Sequence, residues 1–146
     1  MPPSPGPEQS DIRWLQRFDN LQRALAQLEH AITTHRQMPE NELIVIALIK
    51  AYEFCFELSW KTLKDLLAWN GIDARLPREV LKQAFANGLI DNGQLWIDML
   101  EQRNLMAHTY DQARAEAAAA LICSSYWSAL EELRRSLQQR QQEASP

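Results

Sequence analysis

Hydrophobic residues recur at steps of three and four along most of this chain, which is the spacing of one face of a helix. The first such stripe comprises Trp14, Phe18, Leu21, Leu25, Leu28 and Ile32. Asp11 stands just before it and has the short polar side chain that caps helix N-termini. The pattern therefore predicts a long first helix that begins at about Asp11 and packs one apolar side against other helices.

A second long helix is predicted from about Asn41 to Trp69, with Gly71 placed to adopt the left-handed conformation that ends many helices. Its first half, residues 43–49, is apolar on all sides, which indicates burial on several sides, as at a subunit interface. Its second half carries a charged stripe, most simply explained as a solvated face with pairs across one turn. The stripe comprises Lys50, Glu53, Glu57, Lys61 and Lys64.

Two further helices follow at short intervals. Pro77 suits the first position of a shorter helix that runs to Ala86, and Gly88 stops it. Asp91 or Asn92 then caps a fourth helix. The apolar residues of that helix are Leu95, Trp96, Met99, Leu100, Leu105 and Met106.

A fifth helix is predicted to begin at Asp111, with an apolar stripe of Ile122, Tyr126, Leu130, Leu133 and Leu137. The fold class is therefore all-α, an up-and-down bundle of four long helices plus a short one. Residues 11–137 form this single domain. The Pro-rich residues 1–10 and the polar residues 138–146 are expected to be disordered tails.

The composition agrees with one helical domain. The 146 residues are 46% hydrophobic and include only four glycines, enough for one core but poor in turn material. A formal net charge of -4 argues against a broad basic surface for nucleic acid, so any RNA must bind at a local site. The sequence contains neither a signal-peptide pattern nor an apolar run of about 20 residues, so we expect a cytoplasmic protein without a membrane partner.

Cys55 and Cys123 are the only cysteines, and both lie in apolar helical surroundings. We expect them to be small buried hydrophobic residues rather than a disulfide or part of a metal site. The sequence contains no zinc-ligand spacing, phosphate-binding glycine loop or nucleophile elbow. Neither a metal nor a cofactor is therefore expected.

Arg103 is unusual because it lies on an otherwise apolar stripe of the fourth helix, with Trp96, Leu100 and Ala107. Arginine cannot lose its charge on burial, so it must reach a carboxylate, solvent, or a cleft where an anion binds. A purely structural explanation is that Arg103 reaches water or pairs with an acid such as Glu101 or Asp98.

His108 follows Arg103 by five positions, about 140° around a regular helix, so the two do not share a face. They converge only if the helix bends near Ala107 or a second subunit completes the cleft. The simpler alternative is a histidine that interacts with the carbonyl end of the helix. For Tyr110, the simpler alternative is a half-buried ring with its hydroxyl in water.

These residues, spaced as Arg103-x4-His108-x-Tyr110, resemble the signature of the HEPN superfamily. The likeness is specifically to HepT-type toxins paired with minimal nucleotidyltransferases, also called nucleotidyltransferase substrate-binding proteins. An Arg-x4-His pattern alone is common by chance, but further blocks resemble the family in its own order. These blocks are residues 54–64, 77–80, 84–90 and 103–111.

The resemblance implies a HEPN-like homodimer in which two Arg-His motifs form one cleft of a metal-independent endoribonuclease. It makes His108 the general acid or base at the ribose 2′-hydroxyl or the leaving oxygen, and makes Arg103 the ligand of the scissile phosphate. Asn104 would orient the pair or bind phosphate. Glu53 and Glu57 are candidate cleft-lining residues, which spacing alone does not place.

The resemblance also implies a type VII toxin-antitoxin pair, in which a cognate minimal nucleotidyltransferase is the antitoxin and transfers AMP to Tyr110. Added phosphate charge and adenosine would repel and block the RNA substrate. The alternative is a non-catalytic substrate-binding subunit of a two-component nucleotidyltransferase, and a third possibility is a dimeric scaffold. Ala107 departs from the family pattern, because relatives often have a small polar residue before the histidine.

Overall fold

The computed structural model describes residues 7–107 and 111–144, and every regular element in those ranges is helical. The helices are α1 (Pro7–Gln37), α2 (Glu42–Trp69), α3 (Pro77–Ala86), α4 (Gly93–Met106), α5 (Gln112–Leu121) and α6 (Trp127–Ala144). One π-helical turn, Ile122–Tyr126, joins α5 to α6, and the residues on either side of it keep right-handed helical angles. Helix α5, the π-helical turn and α6 therefore form one continuous helical segment, which we call the last rod. It corresponds to the single fifth helix that the sequence predicts, and the all-α bundle is confirmed.

Polar caps and glycines set the ends of the helices. The Asn41 side chain accepts a hydrogen bond from the backbone N–H of Leu43 at 3.0 Å, at the start of α2. Gly71 follows α2 with a φ of 83°, a left-handed conformation that glycine adopts without strain. Asn92 caps α4 by accepting from the backbone N–H of Leu95 at 3.1 Å. These boundaries agree with the sequence prediction.

Both ends of the domain are more helical than predicted. Helix α1 begins at Pro7, so Asp11 lies inside the helix and its predicted role as the N-cap is wrong. Proline suits the first helical turn because its fixed φ is already helical. Helix α6 runs to Ala144, so disorder was wrongly predicted for residues 138–144, which are mostly good helix formers. Residues 1–6 and 145–146 lie outside the described residues.

One hydrophobic core joins the helices. Every residue of the predicted α1 stripe is buried, as is every residue of the predicted stripe on the last rod. An ion pair also links α1 to α2, because the Arg17 Nε donates to the nearly buried Asp65 carboxylate at 2.7 Å. The first two helices therefore pack against each other, and the remaining helices pack against this pair.

Aromatic residues of α2 pack against the first half of α4 and against the last rod. The Tyr52 ring stacks on Tyr126 with centroids 5.6 Å apart, and Phe56 lies 6.1 Å from Trp96. The buried Tyr52 hydroxyl donates to the Met99 carbonyl at 2.8 Å. Burial raises the pKa of Tyr52 far above its ordinary value, so this hydroxyl stays protonated and remains a donor.

Replacing Tyr52 with phenylalanine should lower the free energy of unfolding by about 1 kcal/mol, because the variant loses one buried hydrogen bond and keeps the ring. Urea denaturation followed by circular dichroism measures the change. Tyr126→Phe is the matched control, since the Tyr126 hydroxyl makes no hydrogen bond to the described residues. Equal stability of Tyr52→Phe and the wild-type protein would show that the hydroxyl does not hold α4.

The two cysteines are free thiols. Cys55 is fully buried, and burial raises the pKa of its thiol to about 12, so it is protonated at neutral pH. Cys123 is only partly buried, and burial raises its pKa as well, against a smaller lowering effect of Arg36. The prediction of two buried residues is thus confirmed for Cys55 and only in part for Cys123.

The apolar first half of α2 is not covered on all sides. Leu43 is 75% exposed and Ile46 is 45% exposed, whereas Val45 and Leu48 are buried. Burial on several sides is therefore not achieved within one chain, and the predicted subunit interface stays a prediction. None of the helices in the described part of the chain is long and apolar enough to cross a membrane.

Candidate active site at the end of α4

Arg103 lies in the last turn of α4, beyond the residues that this helix buries in the core. Trp96 and Leu100, which precede it on the same stripe, are both buried. The Arg103 side chain is 35% exposed and therefore lies at the boundary between core and solvent. The arginine that interrupts the apolar stripe in the sequence therefore places its guanidinium where the core meets solvent.

The partner of Arg103 comes from another helix. Its Nη2 lies 3.2 Å from the Glu57 Oε2 on α2. Neither Asp98 nor Glu101, the acids expected from the sequence, forms this pair, and Glu101 instead lies 3.5 Å from Arg78. That expectation was wrong because residues two and five positions away on a helix do not face each other.

Glu57 and Asn104 together hold the Arg103 guanidinium. Arg103 Nη1 donates to the Asn104 Oδ1 at 3.3 Å, and the second oxygen of Glu57 lies 3.4 Å from the Lys61 Nζ. Glu57 and Arg103 are each about one third exposed, so their ion pair contributes at most about 1 kcal/mol. An incoming anion could therefore replace Glu57 at a small cost.

A cleft of about 320 Å³ lies beside this pair, between α2, the start of α3 and the end of α4. We call it the arginine cleft, and its lining includes Glu57, Trp60, Leu76, Arg78, Arg103 and Asn104. Two guanidinium groups and one carboxylate line this cleft, and a second carboxylate, that of Glu101, lies 3.5 Å from Arg78. The sequence did not single out Arg78 or Trp60, because no local spacing relates them to Arg103.

A larger cavity of about 710 Å³ lies on the other side of the last turn of α4, against α2 and α5. We call it the α5 groove, and its lining includes Ile46, Lys50, Glu53, Leu105, Asp111 and Arg114. The Glu53 carboxylate lies 3.5 Å from Lys50. Glu53 and Glu57, predicted together as cleft-lining residues, therefore line two separate cavities.

The link between α4 and α5 carries the rest of the predicted motif. Helix α4 ends at Met106, and Ala107 follows it as the C-cap. The chain then reaches Asp111, whose carboxylate accepts from the backbone N–H of Arg114 at 3.2 Å and caps α5, as predicted. His108 and Tyr110 lie between these points, outside the described residues.

Within residues 7–107 and 111–144, no group of three or more His, Cys, Asp or Glu residues is arranged so that it could hold a metal ion. Among those residues, the polar groups that line the arginine cleft are the guanidinium groups of Arg78 and Arg103, the Asn104 amide and the Glu57 carboxylate. A guanidinium in such a setting is suited to bind a phosphate or another oxyanion.

Comparison with known proteins identifies relatives of this chain. The sequence matches the family described as "Nucleotidyltransferase substrate binding protein like" over residues 16–139. It is also 34% identical over 87 residues to the protein "Probable ribonuclease HepT" of Haemophilus influenzae. That alignment covers 56% of this chain and 60% of the relative, so the chain spans less than two thirds of the relative's length.

Two solved structures have similar folds. The first, from Haemophilus influenzae, is described as revealing the fold of a substrate binding domain of a nucleotidyltransferase. It has a TM-score of 0.71 and 25% identity, and the match covers 83% of this chain and 98% of that chain. The second, from Thermus thermophilus, has a TM-score of 0.58 and 26% identity, with coverage of 73% and 94%. The bundle as a whole is therefore shared.

Proposed function

This chain belongs to the nucleotidyltransferase substrate-binding protein family, and from that premise we propose that it is a HepT-like, metal-independent endoribonuclease of a type VII toxin-antitoxin pair. The observation that carries the proposal is the partly buried Arg103 at the edge of the arginine cleft, five positions before His108. The likeness to a protein named as a probable ribonuclease supports the same reaction. RNA is the substrate, and it binds locally because the whole chain is acidic.

In the proposed reaction, the ribose 2′-oxygen attacks the adjacent phosphorus and the bond to the 5′-oxygen of the next nucleotide breaks. His108 takes the proton of the 2′-hydroxyl or gives one to the leaving 5′-oxygen. Arg103 binds the phosphate oxygens and stabilises their negative charge in the transition state, with Asn104 beside it. The products are a 2′,3′-cyclic phosphate and a 5′-hydroxyl. The nucleophile belongs to the substrate, so no metal-bound water is needed.

Glu57 has a role before the substrate arrives. It neutralises Arg103 at 3.2 Å and keeps the guanidinium at the edge of the cleft. The scissile phosphate then takes the place of this carboxylate, whose other oxygen already lies 3.4 Å from the Lys61 Nζ. Glu57 is thus a positioning residue, whereas Glu53 lines the α5 groove on the other side of α4.

Two copies of the chain complete the proposed catalytic centre. The exposed Leu43 and Ile46 of α2, with Leu105 near the site, form apolar surface of the kind that subunits cover. A homodimer that covers this face would bring the ends of both α4 helices, and with them the two Arg-His motifs, close to the dimer axis.

The test is cleavage of RNA by the purified full-length protein in the presence of EDTA, with variants of Arg103 and His108 as matched controls. The wild-type protein should cleave and leave cyclic phosphate ends, and its expression should slow bacterial growth. Intact RNA and normal growth with wild type and variants alike would overturn the proposal.

The proposed partner is a minimal nucleotidyltransferase that acts as the antitoxin. The Tyr110 oxygen attacks the α-phosphate of ATP, its proton is lost and pyrophosphate leaves, so that AMP becomes attached to Tyr110. The added charge next to the cleft repels the RNA backbone. Tyr110 lies close to Arg103 in sequence, which supports a modification that blocks the same site.

Co-expression with this partner should increase the intact mass of the chain by one or more AMP units, and should abolish RNA cleavage. In the matched Tyr110→Phe variant, the mass should stay unchanged and cleavage should persist, because no acceptor oxygen is left. Intact mass spectrometry and the cleavage assay measure the two effects. An inactive complex with an unmodified Tyr110 would instead indicate simple occlusion.

A second candidate function is a non-catalytic substrate-binding subunit of a two-component nucleotidyltransferase. The description of the solved Haemophilus influenzae relative as a substrate binding domain supports it. In that case Arg103→Ala would change nucleotide transfer by the partner, and the chain alone would leave RNA intact.

A further inference from the structure

Arg78 is a second cation of the arginine cleft that the reaction described above does not use. It is the second residue of α3, directly after Pro77, and it lines the cleft together with Arg103. Its ion-pair partner in the described chain is Glu101 at 3.5 Å, and both side chains are more than half exposed. Such a pair contributes at most about 1 kcal/mol, so the Arg78 guanidinium is available to another anion.

Apolar residues also line the arginine cleft. Trp60 and Leu100 are buried beneath the cleft, whereas Leu76, just before α3, is 68% exposed at its rim. Leu76 occupies the N-cap position of α3 and offers no side-chain hydrogen bond there. A cap with a polar side chain would stabilise the helix better, so this position is not explained by the stability of α3.

The cleft therefore combines cations at its rim with an exposed apolar side chain and a buried apolar floor. A nucleotide needs both features, since its phosphate is anionic and its base is flat and largely apolar. The volume of about 320 Å³ lies at the small end of the range for small-molecule sites. Single-stranded RNA presents unpaired bases to such a surface, whereas the grooves of a duplex do not.

We propose that the arginine cleft binds the nucleotide next to the scissile bond of a single-stranded RNA, with Arg78 on the adjacent phosphate and the base against Leu76. This inference rests on the proposed function. Arg103 then holds the phosphate that reacts, and Arg78 holds one that does not. Arg78 contributes to binding and to the register of the strand, and not to the chemical step.

The first test measures binding to a short fluorescein-labelled single-stranded RNA by fluorescence anisotropy, in full-length His108→Ala protein, so that the RNA stays intact. Adding Arg78→Gln should raise the Kd about tenfold, as expected for one charge-assisted phosphate contact. The slope of log Kd against log salt should fall by about 0.7, the value for one phosphate of a single strand. Arg78→Lys should keep most of the slope, since it keeps the charge.

Arg75→Gln is the matched control for this measurement. Arg75 lies three positions before Arg78, is strongly exposed, pairs with Asp73 and does not line the cleft. It should leave both the Kd and the salt slope unchanged. If Arg78→Gln and Arg75→Gln had equal effects, Arg78 would contribute only general charge and the inference would be overturned.

The second test concerns the base. Leu76→Ser should weaken binding of normal RNA several-fold, but should not affect an RNA with an abasic nucleotide next to the cleavage site. Equal losses with both RNAs would overturn the contact between Leu76 and the base.

The outcomes also separate this inference from the proposed function. Cleavage of RNA by wild type, with the same KM, Kd and salt slope in Arg78→Gln, would overturn the role of Arg78 and leave the ribonuclease intact. A wild-type protein that neither binds nor cleaves RNA would overturn the proposed function and the subsite together.

Discussion

Replacing His108 with alanine should reduce kcat/KM for RNA cleavage by about 10²–10⁴-fold, the range that a positioned acid or base contributes. The assay uses purified full-length protein in EDTA, so that a contaminating metal-dependent nuclease does not contribute. His30→Ala is the matched control, since His30 is an exposed histidine of α1, far along the chain from the motif. It should cleave RNA at the wild-type rate.

The effect of His108→Ala should lie in kcat more than in KM, because proton transfer occurs in the transition state. RNA binding by the variant should remain close to that of wild type. A variant that cleaves at the wild-type rate would remove His108 from the mechanism. A variant that loses binding and catalysis equally would indicate a substrate ligand rather than a proton-transfer group.

Replacing Arg103 with alanine should reduce cleavage by about 10²–10³-fold, the loss typical of removing one group that stabilises transition-state charge. Arg103→Lys should recover only part of the rate, since an ammonium keeps the charge and loses the two-pronged geometry of the guanidinium. The measurement is again kcat/KM in EDTA. Urea denaturation of the same samples reports the stability of the fold.

The stability measurement separates a catalytic Arg103 from a structural one. The ion pair with Glu57 is one third exposed, so Arg103→Ala should change the free energy of unfolding by less than about 1 kcal/mol. Glu57→Gln is the matched control, because it removes the same ion pair and leaves the guanidinium in place. Equal losses of activity in Glu57→Gln and Arg103→Ala would show that the pair itself is required, and not the free cation.

Mixed dimers of the two variants test whether the cleft is shared between subunits. If one centre takes Arg103 from one subunit and His108 from the other, a dimer of Arg103→Ala with His108→Ala retains one complete centre. Activity should then return on mixing. A mixture as inactive as its components would place both groups of each centre in the same subunit.

The helices were predictable from sequence because each depends on contacts within one or two turns. The α1 stripe from Trp14 to Ile32, the Asn41 and Asn92 caps and the left-handed Gly71 are all local features. The errors lie at the ends, where α1 begins at Pro7 and α6 continues to Ala144. The composition of the tails predicts helix ends less well than apolar periodicity does. A few helix-forming residues can extend a helix that is already packed against the core at little cost in free energy.

The surroundings of Arg103 were only half predictable. Its position on an apolar stripe showed that the charge needs a partner, but pointed to Glu101 or Asp98 nearby in sequence. The observed partner, Glu57, belongs to α2, and the packing of α2 against α4 determines which carboxylate comes within 3.2 Å. No spacing along the chain carries that information.

The sequence by itself determined the number and type of helices, their apolar faces and the anomalous charge at Arg103, because periodicity and capping act over a few residues. Only the tertiary structure decided that Glu57 and Asn104 hold this charge, that Glu53 and Glu57 line different cavities, and that Arg78 joins Arg103 at one cleft. Glu57 and Arg78 lie on helices other than that of Arg103, and the cavity that each glutamate of α2 lines depends on the helices packed beside it, so only the packing of the helices sets these relations.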